Sequence, residues 1–269
     1  MGKTISIITG AGSGIGKALA IAQASRGITV VAADIDEAQA SITAAACGNG
    51  AWSAKLDVRS REQVDALVNK VLSTHGRIDY LFNNAGIGVG GEAYEIDHSH
   101  WDRILDINVK GVINGVLAAY PVMVRQGFGH IVNTASLAGL GPAPLLAPYA
   151  MTKHAVVGLS TSLRIEAKRY GVNVSVLCPA AIETPLLDSM NPADLKEIPW
   201  TPNIRRFLTN LAGAPITADA FAKEALDAID RNKAVIVIPG RARLSWRIGR
   251  LFPAPVSYTH LRAHETLRY

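Results

Sequence analysis

Along most of the chain, short runs of β-branched and other apolar residues alternate with longer stretches whose apolar positions recur every three or four residues. The short runs predict strands at 5–9, 29–33, 52–56, 78–82, 130–134, 172–177 and 235–238. The longer stretches predict helices at 15–25, 36–46, 61–74, 100–125, 148–170 and 218–231. Strand, crossover helix and strand in succession make βαβ units. The expected fold is therefore α/β, a doubly wound Rossmann-type parallel sheet of about seven strands with helices on both faces. Nearly continuous apolar strands place that sheet between two helical layers. With no repeat, low-complexity tract or Gly/Ser linker to divide it, 1–240 reads as one domain. Its irregular stretch, 183–215, is interrupted by Pro185, Pro192, Pro199, Pro202 and Pro215, and a broken insertion after a strand suits a substrate lid.

Composition removes several classes. The chain has 269 residues, 49% hydrophobic and 18% charged, enough to bury a large core, so disorder is not expected. Cys47 and Cys178 are its only cysteines, too few for a disulfide framework and without zinc spacing, which implies a reducing compartment. No stretch of eighteen or more apolar residues occurs, and no secretory leader is recognisable, so a soluble cytoplasmic protein is the expectation.

The net charge of +5 changes that picture little. Residues 1–240 hold 21 basic and 21 acidic side chains, so the excess lies beyond them, in Arg241, Arg243, Arg247, Arg250, Arg262 and Arg268 against Glu265. A basic face for nucleic acid is absent from the body. Within 241–255, Leu244, Trp246, Ile248, Leu251 and Phe252 among four arginines predict a basic amphipathic arm. It would cover a neighbouring subunit or the cleft, with membrane-surface contact through 241–252 as the alternative. The segment 256–269 contains VSYTHLRAHET, which resembles the translation of a sequencing adapter and is excluded from the fold; on that reading the natural C-terminus is lost beyond about Pro255.

The first chemical signal follows the first strand: Thr9-Gly10-Ala11-Gly12-Ser13-Gly14-Ile15-Gly16, opening a helix. Glycines permit a tight turn and close approach of the backbone, and a helix N-terminus directs N–H groups at a pyrophosphate. An ordinary βα turn is the alternative. Asp34 ends the second strand, where a carboxylate can accept both hydroxyls of an adenosine ribose. It favours NAD over NADP, because a 2′-phosphate would meet a negative charge with no obvious basic neighbour. Its other reading is an N-cap for the helix from residue 36.

The spacing of Gly10, Gly14 and Gly16 resembles that of the short-chain dehydrogenase/reductase family, and the resemblance extends over about residues 3–240. Asp57-Val58 resembles the family's adenine-side segment, and Asn84-Ala85-Gly86, after Asn83, its fourth-strand motif. Asn108, Ser136, Tyr149 and Lys153 match the order of its catalytic quartet. The resemblance implies cofactor contacts from Gly10, Gly12, Ser13, Gly14, Ile15, Gly16, Asp34, Asp57, Val58, Asn84, Ala85, Gly86, Tyr149, Lys153, Pro179, Ile182 and Thr184. It also implies a homodimer or homotetramer paired through the two long central helices. Two departures stand out. Pro179 is followed by Ala180 where the family commonly has glycine, which predicts a less free backbone there, and Thr152 replaces the commoner serine.

Lys153 lies four residues after Tyr149 in a predicted helix, so the two share a face, and an ammonium close to a phenol favours its anion. The implied chemistry is proton exchange between Tyr149 and a substrate oxygen while hydride moves to or from nicotinamide, with Ser136 holding that oxygen. Asn108 is implied to kink its helix and hold a water leading to Lys153. The leading expectation is an NAD(H)-dependent enzyme acting on a secondary alcohol or ketone. Leu145, Leu146, Leu186, Leu187, Met190, Ile198 and Trp200 suggest an apolar substrate, with the core of the lid as the equal alternative. The alternatives are an NADP-dependent carbonyl reductase and a dinucleotide-sensing protein without turnover. His98 and His100 lack a third ligand in the sequence pattern, so no metal is expected, and His154 and Cys178 read as packing.

Overall fold

The computed structural model describes residues 3–251; Phe252 and the segment 256–269 lie outside them. The sheet consists of β1 (Ile5–Thr9), β2 (Thr29–Asp34), β3 (Trp52–Lys55), β4 (Tyr80–Asn83), β5 (Gly129–Thr134), β6 (Val172–Pro179) and β9 (Val235–Ile238). All seven are parallel, in the order β3-β2-β1-β4-β5-β6-β9. Two further strands, β7 (Ile182–Glu183) and β8 (Ile216–Thr217), pair with each other outside it. Sequence periodicity missed them because two residues carry no period.

Alternation along the strands divides the core. Ile5 and Ile7 of β1, with Val31 and Ala33 of β2, face one layer; Ile8, Val30 and Ala32 face the other. The first layer is covered by α3 (Arg61–His75), α5 (Gly111–Gln126) and α6 (Ala147–Ala167), the second by α1 (Gly14–Ala24), α2 (Glu37–Cys47) and α8 (Ala218–Asp230). Burial of both faces explains why the strands read as continuous apolar runs.

The helix predicted at 100–125 is three pieces: α4 (His98–Leu105), a π turn (Asp106–Lys110) and α5. The widened turn carries Asn108, whose side chain is wholly buried and bonds both backbone groups of Ile87, accepting from its N–H at 2.9 Å and donating to its carbonyl at 3.0 Å. These bonds to a distant loop account for the break, which helical periodicity does not register. The run 98–126 is long and apolar enough to cross a membrane by length and composition, but Ile104, Val112, Val116, Ala119, Val122 and Met123 along it are buried in the core.

Between β7 and β8 lie a short 3-10 turn (Pro185–Leu187) and α7 (Ile204–Ala212). The β7–β8 pair pins the two ends of this segment together, and Arg205 reinforces the base by bonding the carboxylates of Glu183 and Asp188 at 2.6 and 2.7 Å. After β9 the chain forms α9 (Gly240–Leu251).

Candidate active site

The strand order turns at β1 and β4, where the connections leave towards opposite faces and open a crevice at the strands' C-terminal ends. A cavity of about 1210 Å³ occupies it and runs on towards 183–215 and α9.

At one end lies the glycine loop. Gly10 and Gly14 adopt φ of +66° and +51°, and a Cβ on Gly16 would stand 2.0 Å from the Gly10 carbonyl oxygen, so the turn closes only without side chains there. Ser13 is the N-cap of α1 but makes no side-chain capping bond, and it lines the cavity. Thr9, absent from the predicted site, ties the crevice together. Its hydroxyl accepts from the N–H of Asn84 at 3.0 Å and of Ala85 at 3.1 Å, and donates to Phe82. A threonine ending a buried strand just before the loop was the available signal. Asn84 returns a bond to the Thr9 carbonyl and accepts from the Thr134 hydroxyl, joining the ends of β1, β4 and β5.

Asp34 is not the N-cap of α2. Asp36 fills that role, accepting from the Gln39 N–H at 3.1 Å. Asp34 instead accepts from the Gly12 N–H at 2.8 Å and the Asp36 N–H at 3.0 Å, which aligns the carboxylate beside the loop. Asp57 and Val58 line the same end, and so does Arg59, a basic neighbour that the sequence did not reveal. Its guanidinium bonds Asp57 at 2.6 Å, and that pairing holds the Asp57 carboxyl below its ordinary pKa.

Asn84, Ala85, Gly86, Pro179, Ile182 and Thr184 line the middle. Ala180 has no positive φ and its N–H bonds the Ile238 carbonyl at 2.9 Å, so the expected handicap of alanine after Pro179 does not arise. Thr184 closes on the loop: a Cβ on Gly14 would lie 3.2 Å from its methyl.

Ser136, Tyr149 and Lys153 face this same cavity, Ser136 from the turn after β5 and the others from the first turns of α6. Asn108 stands behind them. A Cβ on Gly86 would lie 3.2 Å from Asn108 Oδ1 and 3.4 Å from Lys153 Nζ. The π turn thus abuts the lysine, and the sequence-predicted quartet is assembled from three elements. Leu145, just before α6, has φ of +65°, a conformation that bulky residues avoid. Its carbonyl accepts from the Gly91 N–H at 2.9 Å, so backbone strain sits at the turn presenting Tyr149.

The electrostatics correct one expectation. Burial pushes the Tyr149 phenol above its ordinary pKa, with a hydrogen bond to Ser136 opposing the rise. Burial lowers the Lys153 amine to about 8. The amine donates to the Thr134 carbonyl at 3.0 Å and lies 5.4 Å from the centre of the Tyr149 ring. Desolvation of the phenolate therefore sets the direction of the shift, which favours the neutral phenol. Cys178 borders the pair, its thiol raised to about 12 by burial.

Leu140, Leu146, Leu186, Leu187, Met190, Ile204 and Leu208 line the far half. Leu145, Ile198 and Trp200 do not: Leu145 and Ile198 are buried in the surrounding structure, Ile198 against Val89 and Ile96. Asn191 ties 183–215 to the loop after β4, its amide bonding the N–H and carbonyl of Gly90 at 2.9 and 3.0 Å. Arg103 adds an ion pair to Asp194 at 2.9 Å. Among the described residues no cluster of three His, Cys, Asp or Glu could hold a metal. His98 is exposed at the start of α4, while His100 is buried with neither ring nitrogen hydrogen-bonded.

The chain matches the short chain dehydrogenase family model over residues 4–195. It is 37% identical over 198 residues to an uncharacterized oxidoreductase of Listeria monocytogenes, covering 72% of this chain and 80% of that one. It is 41% identical over 187 residues to "Probable oxidoreductase EphD" of Mycobacterium tuberculosis, covering 68% of this chain and spanning 32% of that longer protein. Among solved structures, a short chain dehydrogenase/reductase from Burkholderia phymatum in complex with NAD superposes with a TM-score of 0.82 at 33% identity, covering 91% of this chain and 92% of that one. A 3-ketoacyl-(acyl-carrier-protein) reductase from Brucella melitensis complexed with NADH gives 0.77 at 31%, covering 89% and 98%.

Proposed function

The chain belongs to the short-chain dehydrogenase/reductase family, and on that premise we propose that it moves a hydride between NAD(H) and an apolar secondary alcohol or its ketone. One observation carries the proposal: a single cavity is lined at one end by the glycine loop and Asp34, and beyond it by Ser136, Tyr149 and Lys153.

The residues present fit a dinucleotide. A Cβ on Gly12 would come within 2.9 Å of Asp34 Oδ2, so bare backbone borders the cradle, and Asp34 retains lone pairs for ribose hydroxyls. Gly10, Gly12, Ser13, Gly14, Ile15 and Gly16 would take the pyrophosphate, Asp57 and Val58 the adenine side, and Asn84, Ala85, Gly86, Pro179, Ile182 and Thr184 the nicotinamide side. When bound, the nicotinamide supplies or accepts the hydride, a step no side chain performs.

The chain's own residues manage the oxygen. In reduction, Tyr149 gives its phenolic proton to the carbonyl oxygen as the carbon receives hydride; in oxidation, the phenolate takes that proton back. Ser136 donates to the same oxygen as charge develops. Lys153, buried and close to the ring, stabilises the phenolate, and Asn108 acts as a positioning residue behind it. A neutral Tyr149 suits the reductive direction near pH 7. NAD is favoured over NADP because Arg59, the nearby cation, is held by Asp57. Exposed Ile113 and Leu117 on α5, with Met151 and Ile165 on α6, support pairing of two copies through those helices.

The test is NADH oxidation with a panel of apolar ketones. Tyr149→Phe should lower turnover by about 10²-fold or more while NADH affinity stays within a few-fold. A variant that keeps its activity, or a wild-type protein that binds NADH and turns over no ketone, overturns the proposal.

A further inference from the structure

The far half of the cavity is lined by apolar side chains, but exposed charge borders it as well. There α9 contributes Arg241, Ala242, Trp246 and Arg250 to the wall, Arg241 donating to the Ala214 carbonyl. Trp246 also packs against the core, which fixes its indole, and the Arg250 guanidinium carbon lies over that ring, 5.5 Å from its centre. A ring face attracts the cation without using up its N–H groups, which bond oxyanions in pairs.

The surrounding charge points the same way. The acidic side chains lining the cavity are Asp34 and Asp57, both at the nucleotide end. Among the described residues no carboxylate pairs with Arg250, whereas Arg243 on the same helix is held by Glu224 at 2.9 Å. A cation backed by an aromatic ring and bordering an apolar cavity selects a ligand with matching order: reactive carbon inside, hydrocarbon between, negative charge outside.

Resting on the hydride-transfer reading above, we infer that the substrate is an apolar ketone or alcohol ending in an oxyanion, a carboxylate or a phosphate ester, and that Arg250 on Trp246 holds that end. Arg250 is then a specificity-determining residue acting in binding, remote from the bond that changes.

Equilibrium binding to the NADH-loaded protein, followed by tryptophan fluorescence, tests this without turnover, using dodecanoate, dodecyl phosphate and methyl dodecanoate as probes. At least one anion should bind about 10-fold or more tightly than the ester, the gain typical of a charge-assisted bond; which anion binds better identifies the source. Arg250→Gln should bring that ratio close to one, while Arg247→Gln, on an exposed residue away from the cavity lining, should keep it. Melting curves and NADH affinity check that both variants fold. Equal binding of all three probes by the wild type, or a preference surviving Arg250→Gln, overturns the inference. So does loss of binding to phosphatidylglycerol vesicles in Arg250→Gln with no anion preference in the wild type, which assigns the arginine to a lipid surface. Ketone turnover separates the two proposals: turnover of neutral ketones without anion preference defeats this one alone, and anion preference without turnover of any ketone defeats the hydride-transfer reading alone.

Discussion

Asn108 donates its side-chain amide to the hydroxyl of Thr152 at 3.2 Å, and that hydroxyl donates onward to the carbonyl of Tyr149 at 2.8 Å. Both Asn108 and Thr152 are wholly buried, so the π turn is joined by one hydroxyl to the helical turn that carries the phenol. Thr152→Ser keeps both bonds and should leave kcat within about two-fold, at a stability cost of roughly 1 kcal/mol for the lost methyl. Thr152→Val keeps the shape and removes both bonds. Its kcat should fall about 10-fold, corresponding to roughly 1.4 kcal/mol of misplacement, with KM little changed. A fully active valine variant would show that the hydroxyl matters only for packing.

Asp34 accepts from the N–H of Gly12 in the loop, and on the proposed cofactor preference it also repels a 2′-phosphate. Asp34→Asn preserves an acceptor for the Gly12 N–H but removes the charge, which at ~4 Å contributes on the order of 1 to 4 kcal/mol between water-like and surface dielectric. The preference for NADH over NADPH should narrow by about 10-fold or more, read from dissociation constants. Tighter NADPH binding by the wild type would refute the assigned cofactor.

On the proposed mechanism, reduction and oxidation need opposite forms of Tyr149. Because burial raises its pKa, the neutral form persists through neutral pH and is lost only in alkali. Ketone reduction should hold steady near neutral pH and fall as pH rises, whereas alcohol oxidation should climb with pH. Profiles that rise together in both directions would move the acid/base role elsewhere.

Asn191 bonds both backbone groups of Gly90, and Met190 beside it lies against Gly88, where a Cβ would stand 2.4 Å from its sulfur. Asn191→Ala should loosen the cover over the apolar half. Substrate KM should rise several-fold with NADH affinity unchanged, since the loop and Asp34 are untouched.

His130 in β5 is buried against Ser175, its ring nitrogen 2.8 Å from that hydroxyl. Burial first, then the nearby Arg164 charge, lowers it from 6.5 to about 4. The unfolded chain takes up a proton below pH 6.5 and the folded protein does not until about 4, so stability is present above that window and lost as pH falls through it. The loss amounts to about 3 kcal/mol at most. Melting temperature should decline between pH 6.5 and 4.5, and His130→Gln should flatten the decline.

Much of the site could be read in the sequence because its logic is local. Gly10, Gly14 and Gly16 sit on one strand-to-helix turn, Asp34 ends the adjacent strand, and Tyr149 and Lys153 are one helical turn apart. Thr9 escaped notice because its partners Asn84 and Ala85 are distant in sequence, and Arg59 because its relation to the nucleotide end depends on how β2 and β3 lie side by side.

The alternation of apolar runs determined by itself that the chain forms a two-sided parallel sheet, since continuous apolar strands can be hidden only between helical layers, and the residue types at the loop and on α6 determined which chemistry is available. Tertiary structure alone decided how that chemistry is poised. It directs the Lys153 amine to the Thr134 carbonyl, buries Tyr149 enough to raise its pKa, widens the helix at Asn108 and sets Trp246 and Arg250 on the cavity wall. Each of these depends on desolvation or on hydrogen bonds between elements far apart in the chain, and neither leaves a periodic trace in the order of residues.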